Sequence, residues 1–114
     1  EDMQCANSLR PLTDDDKCAA YVLPDEAWAR RVMGIFANKL ANESPQRAHA
    51  VITLNHSGDY TVSVRAALTN PQGADSLCLQ FDTGGGRKAA AGINHLPVDA
   101  LDDFVATFKQ HFCN

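Results

Sequence analysis

Two strand-like runs on either side of a short turn constrain the fold of this chain more than any other feature. Residues 48–55 read AHAVITLN and residues 59–66 read DYTVSVRA, with His56, Ser57 and Gly58 between them. β-Branched and aromatic residues flanking a glycine-containing turn indicate a β-hairpin. The chain must therefore contain a sheet in which these two runs are antiparallel neighbours.

The parity of the side chains selects the length of the hairpin loop. A two-residue loop would place Ile52 on the face of Ser63, whereas a three-residue loop, residues 56–58, places it beside Val62. The second register gives one coherent apolar face and puts Gly58 where such loops need a left-handed residue. We therefore predict the three-residue loop.

The same register predicts a polar row on the second strand. Thr61, Ser63 and Arg65 alternate with apolar residues, so they share one face of the strand. Three polar side chains in a row indicate a partly wet surface, and Arg65 lies at the end of that row.

The remaining elements alternate between helix and strand. The patterns predict a strand over 18–23, a helix over 24–42, a short helix over 74–81, a strand over 90–96 and a last helix over 97–112. Apolar stripes support the two long helices: Trp28, Val32, Ile35, Phe36 and Leu40 in the first, and Val98, Leu101, Val105, Phe108 and Phe112, with Phe104 alongside, in the last. We predict a single α/β domain, an α+β mixed sheet of about four to five strands with two main helices and one short helix packed on it.

The segment 84–92, which reads GGGRKAAAG, is the most unusual part of the chain. Three successive glycines are costly in backbone entropy and are tolerated where φ is positive or a ligand approaches the main chain. Consecutive N–H groups without Cβ atoms can form an anion-binding concavity, and Arg87 adds a permanently charged fork. We expect a loop over the glycines. A flexible loop before a tightly packed strand, without a ligand, stays open as the alternative, since the P-loop pattern is absent.

The charge balance limits what such a loop can bind. The chain has 10 Lys and Arg against 14 Asp and Glu, a net charge of −4 and a pI near 5.4. A protein that binds nucleic acid through its overall field is usually basic, so phosphate binding here must be local. No apolar run approaches the ~20 residues of a membrane span, and we expect no membrane partner.

The cysteines and histidines do not form a recognisable site. Cys5, Cys18, Cys78 and Cys113 lack CxxC spacing, and no signal peptide precedes them. We therefore predict reduced thiols in a cytoplasmic protein. The four histidines lack metal-ligand spacing, and no nucleophile elbow or two-metal cluster is present. The chain is not expected to be catalytic alone, and no cofactor is expected in it.

Two motifs resemble a known family. The segment 84–92 resembles the GGGH-x-x-AAG signature in the C-terminal associated domain of the DHH-family phosphoesterases, with Arg87 in place of the usual His. The run Val62-Ser63-Val64-Arg65 resembles the V-S-x-R strand of the same domain. The resemblance covers about residues 19–112, and both motifs occur in the expected order.

The resemblance implies a division of labour between two domains. An N-terminal DHH domain of the same parent chain would carry a two-manganese site that hydrolyses phosphodiester or phosphoanhydride bonds. This chain would be the substrate-binding domain, residues 19–114, with residues 1–18 as a linker after a domain that precedes Glu1. Its ligand would be a short oligonucleotide, a nucleotide or single-stranded nucleic acid. The implied substrate-binding residues are Arg65, Gly84, Gly85, Gly86, Arg87, Ala90, Ala91 and Gly92.

Two other functions remain open from the sequence. The chain could be a stand-alone nucleic-acid or tRNA-binding module related to the domain attached to alanyl-tRNA synthetases. It could also be a structural or dimerisation domain, for example one that forms a homodimer, in which the glycines only allow the chain to turn. The acidic balance disfavours a large RNA ligand, because extended backbone contact needs more cations.

Overall fold

A six-stranded mixed sheet forms the centre of the fold. The computed structural model describes residues 13–14, 17–23, 27–55 and 58–113. The strands are β1 (Thr13–Asp14), β2 (Cys18–Leu23), β3 (Ala48–Leu54), β4 (Tyr60–Arg65), β5 (Gly84–Gly86) and β6 (Ala90–Leu96). They lie in the order β1-β2-β3-β4-β6-β5. The pair β2–β3 is parallel and all other neighbours are antiparallel, which confirms the predicted mixed sheet.

Three helices in the described part of the chain cover the two faces of this sheet. They are α1 (Ala27–Glu43), α2 (Ala74–Cys78) and α3 (Leu101–Phe112), the last preceded by a 3-10 turn over Val98–Ala100. Helix α1 is the crossover that two parallel neighbouring strands require. It packs on one face through Val32, Phe36 and Ala37, against Leu23 and Val51. Helices α2 and α3 pack on the opposite face, where Leu77, Phe104 and Phe108 are fully buried.

The hairpin register agrees with the prediction from parity. Ile52 lies opposite Val62, and Leu54 lies opposite Tyr60. Gly58 has a φ of 85°, the left-handed conformation expected at that position of the loop. His56 and Ser57 lie outside the described residues.

The apolar stripes of the two long helices are only partly confirmed. Ile35 is 61% exposed and Val98 is 51% exposed, so both predictions of core positions were wrong. The buried positions of α1 include the small residues Ala37 and Ala41 instead, which lets the helix lie close to the sheet. The residues from Pro24 to Glu26 and the side chain of Trp28 lie outside the described residues.

The three successive glycines form an edge strand rather than the expected loop. Gly84, Gly85 and Gly86 pair with Ile93, Gly92 and Ala91 of β6. The backbone N–H of Arg87 donates to the Ala90 oxygen at 2.8 Å, so the turn of this hairpin consists of only two residues, Lys88 and Ala89. The short helix is also briefer than predicted and ends at Cys78.

A disulfide joins Cys18 to Cys113, so the prediction of reduced thiols was wrong for these two cysteines, while Cys5 lies outside the described residues. The two Cα atoms are 5.5 Å apart, within the usual range for this bond, although 95 positions separate the residues in sequence. The thiol of Cys78 is free and buried, and burial raises its pKa to about 12, so it stays protonated. None of the helices in the described part of the chain has the length and apolar character of a membrane span.

Candidate functional site

A cleft of about 440 Å³ opens where the C-terminal half of α1 leaves one end of the sheet uncovered. Its floor is formed by the last residue of β4 and the first residue of β6, and its far wall is formed by the β5–β6 hairpin. The lining residues are Asn38, Ala41, Asn42, Arg65, Ala66, Leu68, Arg87, Ala89 and Ala90. The cleft thus brings together three of the predicted site residues, namely Arg65, Arg87 and Ala90.

Arg65 is held in the cleft by three neutral acceptors. Its Nε donates to Asn38 Oδ1 at 3.1 Å, and its Nη1 donates to Ser63 Oγ at 2.7 Å and to the Val64 oxygen at 3.3 Å. The directly opposite residue on β6 is Ala90, whose small side chain leaves room for the guanidinium. Both Nη2 donors are without an acceptor among the described residues, so they remain available to a ligand.

Arg87 reaches the same cleft from a well-anchored turn. Its own N–H is bonded to Ala90, the N–H of Ala66 donates to the Ala89 oxygen at 2.9 Å, and the N–H of Ala74 donates to the Lys88 oxygen at 3.0 Å. These bonds fix the hairpin to the end of β4 and to the start of α2. The Arg87 side chain is exposed and makes no hydrogen bond or ion pair within the described residues. A fixed backbone therefore presents a cation that none of the described residues neutralises.

The electrostatics of the cleft favour an anion. Burial lowers the pKa of the Arg65 guanidinium from its ordinary value of 12.5, and the charge of Arg87 lowers it further. The second effect arises because the two like charges line the same cleft. None of the described residues that line the cleft is acidic, although the chain carries a net charge of −4. A bound anion would relieve the repulsion between the two guanidinium groups.

Two of the three glycines have a packing role instead of a place in the cleft. A Cβ on Gly84 would clash with the carbonyl of Cys78, and the N–H of Gly84 already donates to the Phe81 oxygen. Gly86 has a φ of 142° and approaches Ala91 so closely that a Cβ would lie 2.5 Å from its Cα. Both glycines, like the buried side chain of Ala91, belong to the face covered by α2 and α3.

Gly85 and Gly92 belong to the face on which the cleft opens. They are direct partners across β5 and β6, and Gly92 is also the partner of Ser63 on β4. A Cβ on Gly85 would meet nothing within 4 Å, whereas one on Gly92 would lie 2.7 Å from the Val62 oxygen. Beside the cleft the sheet therefore carries no side chain at Gly85 or Gly92, so a ligand can come close to the backbone there.

The sequence prediction missed the wall of the cleft that α1 supplies. Asn38, Ala41 and Asn42 lie three and four positions apart, so one face of the helix carries all three. The two amides at four-residue spacing were a signal in the sequence, but nothing local showed that this helix face would meet Arg65. Leu68 contributes an exposed apolar side chain at the rim of the cleft.

The manganese that the family resemblance implies has no candidate ligands in the part of the chain that the structure describes. No group of three or more His, Cys, Asp or Glu side chains lies close enough together there to hold a metal ion. His95 Nδ1 and Asp59 Oδ1 are 3.1 Å apart at the other end of the sheet, and together they supply only two ligands. The described residues thus do not fit a metal centre.

Comparisons with known proteins support the family resemblance. A family model described as the DHHA1 domain matches residues 15–113. A pGpG-specific phosphodiesterase, PggH, from Vibrio cholerae has a similar fold, with a TM-score of 0.62 and 12% identity over 96% of this chain. An exopolyphosphatase-related protein from Bacteroides fragilis is similar with a TM-score of 0.57 and 16% identity, also over 96% of this chain. The chain spans 36% and 32% of those two structures. A comparison with curated protein sequences gives no match.

Proposed function

The chain belongs to the DHHA1 domain family, the C-terminal associated domains of DHH phosphoesterases, and we propose that it is the substrate-binding domain of such an enzyme. In this proposal the cleft holds a phosphate group of a nucleotide or short oligonucleotide. Hydrolysis takes place at a manganese site on an N-terminal DHH domain of the same parent chain. This chain binds and orients the ligand but does not cleave it.

The observation that carries the proposal is the convergence of Arg65 and Arg87 on one cleft without a neutralising carboxylate among the described lining residues. Arginine presents planar, permanently charged donors that match phosphate oxygens. Arg65 has both Nη2 donors available, and Arg87 has no hydrogen bond or ion pair within the described residues. Two cations on anchored backbone can thus contact one phosphate from two sides.

The size of the chain relative to its structural neighbours supports the division of labour. The chain spans about a third of each neighbouring structure. One of those neighbours is described as a pGpG-specific phosphodiesterase, and pGpG is therefore a suitable probe for the cleft. The pair Gly85–Gly92 lies on the same face of the sheet as Arg65 and, without side chains, would let the rest of a nucleotide come close to the backbone.

Titration of the chain with pGpG, followed by chemical-shift mapping, tests the proposal. We expect the largest shifts at the cleft, around Arg65 and Arg87. Hydrogen bonds to charged groups contribute about 1.5–3 kcal/mol, so Arg65→Ala or Arg87→Ala should weaken binding about tenfold or more. Affinity should also fall with increasing salt, because phosphate binding by arginine is electrostatic.

Lys88→Ala provides the matched control. Lys88 is the neighbour of Arg87 in the same turn, carries the same charge and does not line the cleft. Its removal should change the affinity by less than about twofold, as expected for a single exposed charge. The proposed site is wrong if Lys88→Ala weakens binding as much as Arg87→Ala, or if pGpG shifts only signals remote from the cleft.

A further inference from the structure

The contact between α1 and Arg65 suggests a role for a residue that neither the sequence motifs nor the family resemblance includes. Asn38 lies on α1, and its side-chain oxygen accepts the Nε–H of Arg65 at 3.1 Å. Because arginine has only donors, the oxygen of the amide must be the atom that faces Nε. This bond joins the helix wall of the cleft to the cation on its floor.

The three bonds to Arg65 divide its donors into two sets. Asn38 Oδ1 accepts a hydrogen bond from Nε, while Ser63 Oγ and the Val64 oxygen accept hydrogen bonds from Nη1. The guanidinium is planar and rigid, so these bonds fix its orientation and leave both Nη2 donors without a protein acceptor among the described residues. Without Asn38 only the two bonds from Nη1 would hold the guanidinium, so its plane would be less well fixed and a ligand would have to order it further on binding.

The described acceptors of Arg65 are also all neutral. Helix α1 has a single carboxylate, Glu43, and this group pairs with Lys39 at a distance of 2.6 Å rather than with Arg65. An aspartate at position 38 would have nearly the same shape as asparagine but would form an ion pair with the guanidinium. The amide therefore orients Arg65 and preserves its full charge for a ligand.

We propose that Asn38 is a positioning residue for Arg65, which holds the guanidinium ready for a phosphate group without neutralising it. This inference rests on the proposed function for its consequence in binding, but the contact itself can be measured without any ligand. The two can therefore fail separately.

The first experiment measures the contact in the ligand-free chain. The Nε–H group of each arginine gives its own signal in a nitrogen-15 spectrum, and Arg65→Lys identifies the signal of Arg65. We expect slower hydrogen exchange at Arg65 Nε than at Arg87 Nε, and we expect Asn38→Ala to abolish the difference. Equal exchange in the unchanged chain, or no effect of Asn38→Ala, would overturn the proposal whether or not pGpG binds.

The second experiment is a double-mutant cycle with pGpG as the probe. If Asn38 acts through Arg65, Asn38→Ala should weaken binding several-fold in the unchanged chain and have no further effect in the Arg65→Ala variant. Asn42→Ala is the matched control, because Asn42 lies one turn further along the same wall without a hydrogen bond to Arg65 among the described contacts. It should change affinity by the same factor in both backgrounds. An equal effect of Asn38→Ala in the two backgrounds would show that Asn38 does not act through Arg65.

The Asn38→Asp variant separates orientation from charge. It should keep or strengthen the protection of Arg65 Nε while it weakens pGpG binding by about tenfold or more and lowers the dependence of affinity on salt. A purely structural role for Asn38 would not give protection and loss of affinity together. Unchanged affinity in the Asn38→Asp variant would overturn the conclusion that the neutral amide matters.

Discussion

Individual side chains at the two ends of β6 have different electrostatic surroundings. At the cleft end, Arg65 and Arg87 repel each other. At the far end, His95 Nδ1 lies 3.1 Å from Asp59 Oδ1. This second pair sits where β6 carries one extra residue relative to β4, between the pairs Tyr60–Leu96 and Val62–Ile93. A bulge of this kind redirects side chains, and here it brings His95 to the carboxylate at the start of the hairpin strand.

The Asp59–His95 contact predicts a specific dependence of stability on pH. The hydrogen bond with His95 is the main reason why the pKa of Asp59 lies below its ordinary value of 3.8. The pKa is therefore lower in the folded than in the unfolded chain. The contribution of Asp59 is present above the unfolded pKa and is lost as the pH falls through the folded pKa.

Urea unfolding of the unchanged chain and of Asp59→Asn between pH 2 and pH 6 measures this effect. The unchanged chain should have the higher midpoint at pH 6, and the difference should shrink below about pH 3.8. Asp99→Asn is the matched control for the loss of one negative charge, because it removes an exposed carboxylate without a hydrogen bond or ion pair among the described residues. A difference between the unchanged chain and Asp59→Asn that persists to pH 2 would rule out this role for Asp59.

At the scale of elements, the sequence predicted what depends on local alternation. The register of β3 and β4 follows from the parity of Ile52 and Val62, since a shift by one residue would move every side chain to the wrong face. The same parity places Ser63 and Arg65 on the face of the cleft. The two arginines of the cleft were therefore predictable, Arg65 from the register of one hairpin and Arg87 from its position directly after the glycines.

The remaining features depend on contacts between distant parts of the chain. Glycines predict turns, yet Gly84 to Gly86 form β5 because β6 lies beside them. Position 84 requires glycine because a Cβ there would clash with the carbonyl of Cys78, and only the packing of α2 brings that carbonyl near. Likewise, Ile35 is exposed because α1 packs on the sheet through the face that carries Phe36 and Ala37, and no local pattern distinguishes that face from its neighbour.

The three glycines of β5 should therefore respond differently to alanine. A Cβ at Gly84 or Gly86 meets backbone atoms, so each substitution should destabilise the fold by about 1–3 kcal/mol, as overpacking does. A Cβ at Gly85 meets open space, and Gly85→Ala should leave stability unchanged or raise it by up to about 1 kcal/mol. Urea unfolding of the three variants measures these differences. A loss of stability in Gly85→Ala as large as in Gly84→Ala would contradict the described arrangement of β5.

At the scale of the whole molecule, the two faces of the sheet have separate tasks. The face of the sheet on which α1 packs carries the cleft, which opens where the helix does not cover the ends of β4 and β6. The opposite face carries the larger core, where Phe104 and Phe108 of α3 are fully buried. The disulfide ties this second face together, because Cys18 begins β2 and Cys113 follows α3. The sequence could not show this pairing, since spacing alone does not bring residues 95 positions apart together.

The disulfide should stabilise the fold without affecting the cleft. Closing so long a loop restricts the unfolded chain, and loss of such a bond typically costs about 2–5 kcal/mol. Reductant should lower the urea midpoint of the unchanged chain accordingly and have no effect on the Cys18→Ala/Cys113→Ala double variant. Peptide mapping without reduction should recover the two cysteines as one cross-linked pair.

Since the bond lies on the other face of the sheet from Arg65 and Arg87, the folded reduced chain should bind pGpG with unchanged affinity. A stabilising cross-link would be contradicted if both cysteines were recovered as free thiols from the unreduced chain. It would also be contradicted if reductant left the urea midpoint of the unchanged chain the same.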